Sequence, residues 1–308
     1  MKCLWCHAEF EPKRASQKYC TPGHAQKASN ARRYLKDEVD LFEEPRQFKV
    51  HQIKNRPDGT KVMIVNDTQM PFHDRAVLQA VEAFWDDFMP DIEIFNGDLI
   101  DFYGLSVFDH NPTRRFHVQD EIDVARLWLE ERVKQNPHAE RIWGDGNHEH
   151  RLQRWLWKFG PELSSLRALT VPDLLGLDGM GIKYLTYRSV IDLVGFRIEH
   201  GYKASTSGAY PINVSRYMAI ATGSSGLVGH THRMSSYTWA DSRGSHTCIE
   251  NGCLCRFDLE YAPHPNWAHG FTMGYIVNNQ FHWNMVPIYP KGFTVNGEFY
   301  PVIRKGNR

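Results

Sequence analysis

Between residues 61 and 143 the chain alternates apolar runs of strand length with apolar residues at helical spacing, and this alternation restricts the fold more than any other feature. Val62-Met63-Ile64-Val65 has the continuous apolar character of a strand covered on both faces. Val77, Ala80, Val81, Phe84, Trp85 and Phe88 follow at the spacing of an amphipathic helix, and Ile92 to Phe95 reads as the next strand. Ile122, Ala125, Trp128, Leu129 and Val133 mark a second helix over 119–134, and Arg141-Ile142-Trp143 a third strand. Strand, helix, strand, helix, strand describes an α/β core. The second half is richer in strands. Val190 to Val194 and Phe196 to Ile198 flank Gly195 as a hairpin, a short helix is expected near 213–220, and Asn278-Asn279 and Asn296-Gly297 read as hairpin turns.

A core of this kind needs apolar residues, and 42% of the 308 are hydrophobic, which excludes global disorder. Mean hydropathy is −0.50 and no uncharged apolar stretch reaches about 18 residues, so no membrane span is expected. The first residues lack the apolar run of a secretory signal, which makes the cytoplasm the expected location. The formal charge is balanced, with 36 Lys+Arg against 36 Asp+Glu. Residues 1–36 nevertheless hold eight basic and two acidic side chains, a pattern suited to an arm that meets phosphate or to a solvated segment.

That basic segment also carries Cys3-x-x-Cys6 and Cys20-x-x-x-His24. Three thiolates and an imidazole complete a closed tetrahedral Zn²⁺ site, and a segment this short has too small a core to fold without one. His7 is a competing ligand, but it adjoins Cys6 and would strain the tetrahedron. Residues 1–36 are therefore expected to form a zinc knuckle, 37–60 a charged linker containing Pro45, Pro57 and Asp58-Gly59, and 61–308 the main domain. Cys248, Cys253 and Cys255 are expected to be buried free thiols, and Trp155, Trp157 and Phe159 to pack on a helix face.

Five short segments place metal-ligating side chains after strand-like runs: Asp67-Thr68-Gln69, Gly97-Asp98-Leu99-Ile100-Asp101, Gly146-Asn147-His148-Glu149, Glu199-His200-Gly201 and Gly229-His230-Thr231-His232. Carboxylate, amide and imidazole groups gathered from separate strand ends can hold two divalent cations, with one aspartate bridging them. In an open α/β sheet such groups collect at the carboxyl ends of strands. A Ser/His/Asp hydrolase is disfavoured because Gly223-Ser224-Ser225-Gly226 lacks the nucleophile-elbow pattern.

The ordered series resembles the calcineurin-like metallophosphoesterase signature, D-x-H, G-D-x-x-D, G-N-H-E, a later H and G-H-x-H, over residues 61–235. The resemblance implies a sandwich of two sheets flanked by helices, with a binuclear metal centre at its rim. It implies one metal held by Asp67, Gln69, Asp98 and His232 and another by Asp98, Asn147, His200 and His230, with Asp98 as the bridge. Gln69 departs from the family's usual histidine, and its amide is a weaker ligand that suits Mn²⁺ or Mg²⁺ better than Zn²⁺. Mn²⁺ is the expected pair, with Zn²⁺, Fe and Mg²⁺ as alternatives.

Two such cations lower the pKa of a bridging water, and the resulting hydroxide attacks phosphorus in line. His148 is expected to act on the reacting phosphate as a catalytic residue, and Glu149 and Asp101 to orient loops or imidazoles. Tyr202, Lys203 and Arg233 adjoin expected ligands and are candidates for phosphate contact.

The N-terminal segment is similar to short zinc-ribbon or treble-clef knuckles attached to nucleic-acid enzymes. Lys13, Arg14, Lys18, Lys27, Arg32 and Arg33 then form a cationic surface for nucleic acid. The expected function is hydrolysis of phosphodiester bonds in nucleic acid. The alternatives are a phosphomonoesterase acting on nucleotides or phosphoproteins, and a non-catalytic metal-stabilised binding or scaffold module.

Overall fold

The computed structural model describes residues 1–4, 6, 8–14, 16–25, 28, 49–107, 116–201, 214–258 and 266–304. It divides into two compact units, Met1–Gln47 and Phe48–Arg308.

The larger unit is a mixed α/β sandwich of two six-stranded sheets with helices on its outer faces. In the first sheet β2 (Thr60–Val65), β3 (Ile92–Asn96), β4 (Glu140–Gly144) and β5 (Ile182–Leu185) run parallel. On the other side of β2, β11 (His269–Val277) and β12 (Gln280–Ile288) pair antiparallel. The second sheet has the order β1 (Val50–Ile53), β6 (Val190–Leu193), β7 (Phe196–Glu199), β8 (Gly226–Val228), β10 (Gly244–Asn251) and β9 (Met234–Asp241). A separate hairpin joins β13 (Gly292–Val295) to β14 (Glu298–Pro301) around the expected Asn296-Gly297 turn. Helices α1 (Arg75–Phe88), α2 (Val118–Gln135), α3 (His150–Phe159), α4 (Val171–Leu175) and α5 (Val214–Thr222) complete the unit's named α-elements.

Period-two alternation explains the layers. Val62 and Ile64 of β2, Ile92 and Ile94 of β3 and Ile142 of β4 point between the sheets, where they meet Ile191, Leu193, Ile198, Leu227 and Ile249. Their neighbours Met63, Val65, Phe95 and Trp143 point the other way, into a second core with Phe84 and Trp85 of α1 and Ile122, Ala125 and Leu129 of α2. This double burial is why β2 reads as an unbroken apolar run, while in β3 and β4 the buried Glu93 and Arg141 interrupt the run and pair with each other at 2.7 Å. The start of α1 is fixed by Asp74, whose side chain accepts from the Ala76 and Val77 amides and pairs with Arg304. On the outer face of the second sheet, Val214, Met218 and Ala219 of α5 cover Val228 and Cys248.

One boundary differs from expectation. Residues 50–53, inside the stretch read as linker, form β1 and pair in parallel with β6, while 37–48 lie outside the described residues. Only Ile53 of this strand is buried, so an edge strand with one core residue leaves no periodic signal.

Within Met1–Gln47, Lys2 bridges Glu9 in an antiparallel turn, and the Cys3 amide donates to the Ala8 carbonyl. The Leu4 amide reaches the Lys18 carbonyl, which folds the Cys20 segment back on the first two cysteines.

Candidate metal centre

All five sequence segments emerge at carboxyl ends of parallel-paired strands. Asp67 and Gln69 follow β2, Asp98 follows β3, Asn147 and His148 follow β4, His200 follows β7, and His230 and His232 follow β8. Both sheets therefore contribute to one rim. The Asp67 amide donates to the Gly97 carbonyl, and the Gln69 amide to the Asp98 carbonyl, which binds the first two loops together.

The local backbone is unusual. Asp67, Gln69, Asp98, His230 and His232 all have φ between 51° and 67°, the left-handed region that non-glycine residues rarely adopt. Backbone strain of this kind costs on the order of 1–3 kcal/mol per residue and persists where the surroundings over-determine it. Glu149 supplies part of that constraint: its carboxylate accepts from the amides of Asp98, Leu99, Ile100 and Gly146 at 2.7–3.1 Å. Close packing supplies more. A Cβ on Gly146 would stand 2.2 Å from Asp98 Oδ1, so this turn admits only glycine.

The side chains converge as two overlapping groups. His232 Nε2 lies 3.0 Å from Asp67 Oδ1 and 3.2 Å from Gln69 Nε2. His200 Nε2 lies 3.0 Å from Asp98 Oδ2 and 3.1 Å from Asn147 Oδ1, and the His200 and His230 rings are 5.3 Å apart. Asp98, His200 and His230 can place one ligand atom each within 4.8 Å of one another.

Second partners aim these rings. His200 Nδ1 donates to the Asn96 carbonyl at 2.8 Å, which leaves Nε2 directed inward. His232 Nδ1 faces Cys255 Sγ at 3.6 Å, and the Trp267 ring packs across His232 at 4.3 Å. Asp67 Oδ2 accepts from the His230 amide and from Asn66, which is itself held by Asn251.

Whether cations fit here is decided by the carboxylates. Asp67 and Asp98 are fully buried, and among the described residues Asp67 Oδ1 and Asp98 Oδ2 accept no hydrogen bond although each faces an imidazole nitrogen. A buried, unsatisfied carboxylate oxygen is costly unless a cation faces it. Burial opposes the charged form of Asp98, but His148, His200 and His230 hold its carboxyl well below the usual range. Burial likewise opposes a charged His200, yet Asp98 raises it to about 10. A proton on His200 thus occupies the place where the carboxylate draws positive charge, and a metal ion would compete with it. His230 is pushed down to about 4 by burial and by His200, leaving a neutral imidazole suited to ligation. The donor set fits divalent cations.

His148 stands at the edge of this cluster. Its Nε2 is 3.7 Å from Asp98 Oδ2 and 3.4 Å from Gln69 Nε2, and its Nδ1 is 3.3 Å from Asp101 Oδ2. Burial disfavours its charged form, while Asp98 and Asp101 raise it above the ordinary histidine value against the pull of Arg151. Arg151 was not singled out from the sequence. Its Nη2 lies 3.0 Å from His148 Nε2, and its Nη1 donates to Asp101 Oδ1 at 2.9 Å. The signal was present in principle, since Arg151 lies one helical turn beyond His148 at the start of α3.

Other expectations resolve as follows. Arg233 Nε lies 3.4 Å from the fully buried Glu250 carboxylate. Tyr202 and Lys203 lie outside the described residues. Cys248, Cys253 and Cys255 are buried and free, with Cys253 and Cys255 grouped near His232. Trp155, Trp157 and Phe159 are exposed instead of packed, since Leu152 and Leu156 are the buried residues of α3.

In the N-terminal unit, Cys3, Cys6, Cys20 and His24 come together with ligand atoms within 4.8 Å of one another. Cys20 Sγ is 3.6 Å from Cys6 Sγ and 3.0 Å from His24 Nδ1. Zinc–thiolate bonds of about 2.3 Å in a tetrahedron separate sulfurs by about 3.8 Å, so these thiols stand near ligation spacing. Lys13, Arg14 and Lys18 are exposed, while His7, Lys27, Arg32 and Arg33 lie outside the described residues.

No protein-family model matches the chain. Two curated relatives, each named Gene 54 protein, come from Mycobacterium phages D29 and L5. Both are 27% identical, over 255 and 256 residues respectively, covering 79% of this chain and 99% of the relative. Among solved structures, Vacuolar Protein Sorting 29 from Cryptosporidium parvum gives a TM-score of 0.42 at 10% identity, covering 79% of this chain and 95% of that one. A dimetal phosphatase from Danio rerio gives 0.37 at 13% identity, covering 80% and 100%. The nuclease MPE of Pseudomonas putida gives 0.33 at 12%, covering 68% and 83%. No helix among the described residues is long and apolar enough to cross a membrane.

Proposed function

We propose that the chain is a metal-dependent phosphoesterase that hydrolyses phosphodiester bonds, with nucleic acid as its substrate. One observation carries the reading: strand ends from two sheets surround the buried, unsatisfied oxygens of Asp67 and Asp98 with imidazole and amide groups. In this reading Asp67, Gln69, Asp98 and His232 hold one divalent cation, and Asp98, Asn147, His200 and His230 the other. The pair would supply an activated water and neutralise the phosphate's charge.

The chain's own groups do the rest. His148, poised by Asp101, protonates the leaving oxygen or neutralises charge that develops on it, and Arg151 beside it offers a planar donor pair to phosphate oxygens. Glu149 holds the Asp98 and Gly146 loops at fixed spacing through four amides. The N-terminal cysteines and His24 hold a structural Zn²⁺ in the same reading, and its basic side chains contact nucleic-acid phosphates.

Bis-(p-nitrophenyl) phosphate and p-nitrophenyl phosphate, each assayed after chelation and again after Mn²⁺ addition, test the proposal. Metal-restored turnover of the diester in excess of the monoester is expected. Preference for the monoester would favour a phosphomonoesterase, and turnover of neither would favour a non-catalytic module.

A further inference from the structure

The loop bearing Asn147 and His148 runs directly into α3, and the surface of that helix is not what an enzyme for small phosphate esters needs. Leu152 and Leu156 face inward, while Trp155, Trp157 and Phe159 are all exposed, Trp157 by 54% and Phe159 by 60%. Exposing three large aromatic side chains within five residues is unfavourable in water unless a partner covers them.

The charge of the helix is one-sided as well. Its sequence, HRLQRWLWKF, contains Arg151, Arg154 and Lys158 and no carboxylate. Arg154 and Lys158 are four residues apart and share a face with Trp157.

That face borders a groove of about 450 Å³ lined by His150, Arg154, Trp157, Lys158, Tyr187 and Arg188. Tyr187 and Arg188 come from the turn after β5, which is tied to the metal-site loop by the Asp145 amide donating to the Leu185 carbonyl at 2.9 Å. The rings in the groove already form a stack. His150 lies flat on Tyr187 at 4.0 Å and 11°, and Trp157 meets His150 edge-on at 5.6 Å. Burial, with Arg154 and Arg188 nearby, pushes the His150 imidazole down to about 4, so the ring is neutral and stacks as an uncharged platform.

We infer that this groove binds single-stranded nucleic acid, with bases stacked on Trp157 and the His150–Tyr187 pair and phosphates paired with Arg154, Lys158 and Arg188. Aromatic faces interleaved with cations and free of acids match a polyanion whose bases are unstacked, because a duplex offers phosphates but no base faces. His150 lies two residues beyond His148, so a strand in the groove continues toward the metal cluster. The inference rests on the phosphodiesterase reading for its substrate class and supplies the strand preference that reading lacks. A protein partner for the same aromatic ridge is the competing occupant, disfavoured by the absence of any acid among the groove's lining residues to fix its polar contacts.

The test measures equilibrium binding of a fluorescein-labelled dT12 strand to the full chain in chelator, by anisotropy across a salt series, beside a duplex of equal length. Trp157→Ala should weaken dT12 binding about tenfold, the effect of losing one stacked base. Trp157→Phe should restore most of it, which a merely structural role for the indole would not require. The double variant Arg154→Ala/Lys158→Ala should lower the slope of log affinity against log salt by about 1.4. Unchanged thermal midpoints, expected for exposed positions, keep these readings free of folding effects.

Absence of dT12 binding, binding by Trp157→Ala within twofold of wild type, or equal losses for strand and duplex would each overturn the inference. Because no turnover is needed, Trp157-dependent binding without diester hydrolysis would sink the phosphodiesterase reading and leave the groove standing. Diester hydrolysis with Trp157-independent binding would do the reverse.

Discussion

Arg151 Nη2 stands 3.0 Å from His148 Nε2 while Nη1 of the same guanidinium is 2.9 Å from Asp101 Oδ1. Asp101 in turn lies 3.3 Å from His148 Nδ1, so two linked side chains, Arg151 and Asp101, fix one imidazole beside the Asp98 carboxylate. His148 is close to the cluster without the short contacts made by His200 and His232. His148→Ala should therefore lower diester turnover by about 10²–10⁴ with bound metal retained, the range for a positioned acid–base group. Elemental analysis of the variant decides the point. Metal lost in step with rate would make His148 a ligand.

Asp98 Oδ2 lies 3.0 Å from His200 and 3.7 Å from His148, and the proposed reading makes it the bridge between the two cations, whereas Gln69 stands beside His232 and His148 as a ligand to one. Asp98→Ala should accordingly abolish diester hydrolysis and leave no more than one weakly held ion per cluster. Gln69→His should tighten binding of the first Mn²⁺ without changing stoichiometry, because imidazole is the better ligand for borderline cations. Calorimetric titration of metal-stripped protein would show this as a steeper first phase. An unchanged isotherm for Gln69→His would place residue 69 outside the coordination sphere.

A pH effect is expected from a histidine outside the candidate ligand set. Burial, reinforced by Arg75 and opposed by Asp74, lowers His73 to about 4 from an ordinary value of 6.5. Between those values the unfolded chain binds more protons than the folded one, so stability falls as pH drops from 6.5 toward 4 and is level above. The loss is up to about 3 kcal/mol by linkage. Urea midpoints measured from pH 4 to 7.5 should be flatter for His73→Gln than for wild type. Parallel curves would assign the slope to other groups.

The N-terminal cluster should behave as an independent structural site. Deleting residues 1–36 is expected to remove one Zn²⁺ per chain and to spare hydrolysis of a small aryl diester, since the candidate ligands of the binuclear centre, from Asp67 to His232, and His148 all lie in Phe48–Arg308. Cys20→Ser alone should release the same ion. Turnover lost together with the zinc would show that the two sites are coupled.

Sequence patterns disclosed the layers and the cluster for one reason: both follow local rules. Val62 and Ile64 against Met63 and Val65 encode a strand buried on two faces, and each candidate ligand follows such a run by a few residues. What stayed hidden depends on neighbours distant in the chain. β1 is a strand because β6 pairs with it, not because its own residues alternate. Cys255 faces His232 only through folding of the segment after β10, and Arg233 meets Glu250 across the β9–β10 pair. Apolar residues on α3 suggest packing, yet composition does not say which face a helix buries, and Leu152 and Leu156 take that place from the aromatics.

The left-handed loops at the rim belong to two different sheets: those of Asp67, Gln69 and Asp98 leave the first, and those of His230 and His232 leave the second. A cation pair seated among them would act as a rivet through the open edge of the sandwich, linking chain positions as far apart as Asp67 and His232. Such a closure stabilises the folded chain because the unfolded one does not assemble the site. Stripping the metal should then loosen the breathing of one layer against the other, with amide exchange quickening first in β2 and β8, where the rivet sits, and last in strands remote from that edge.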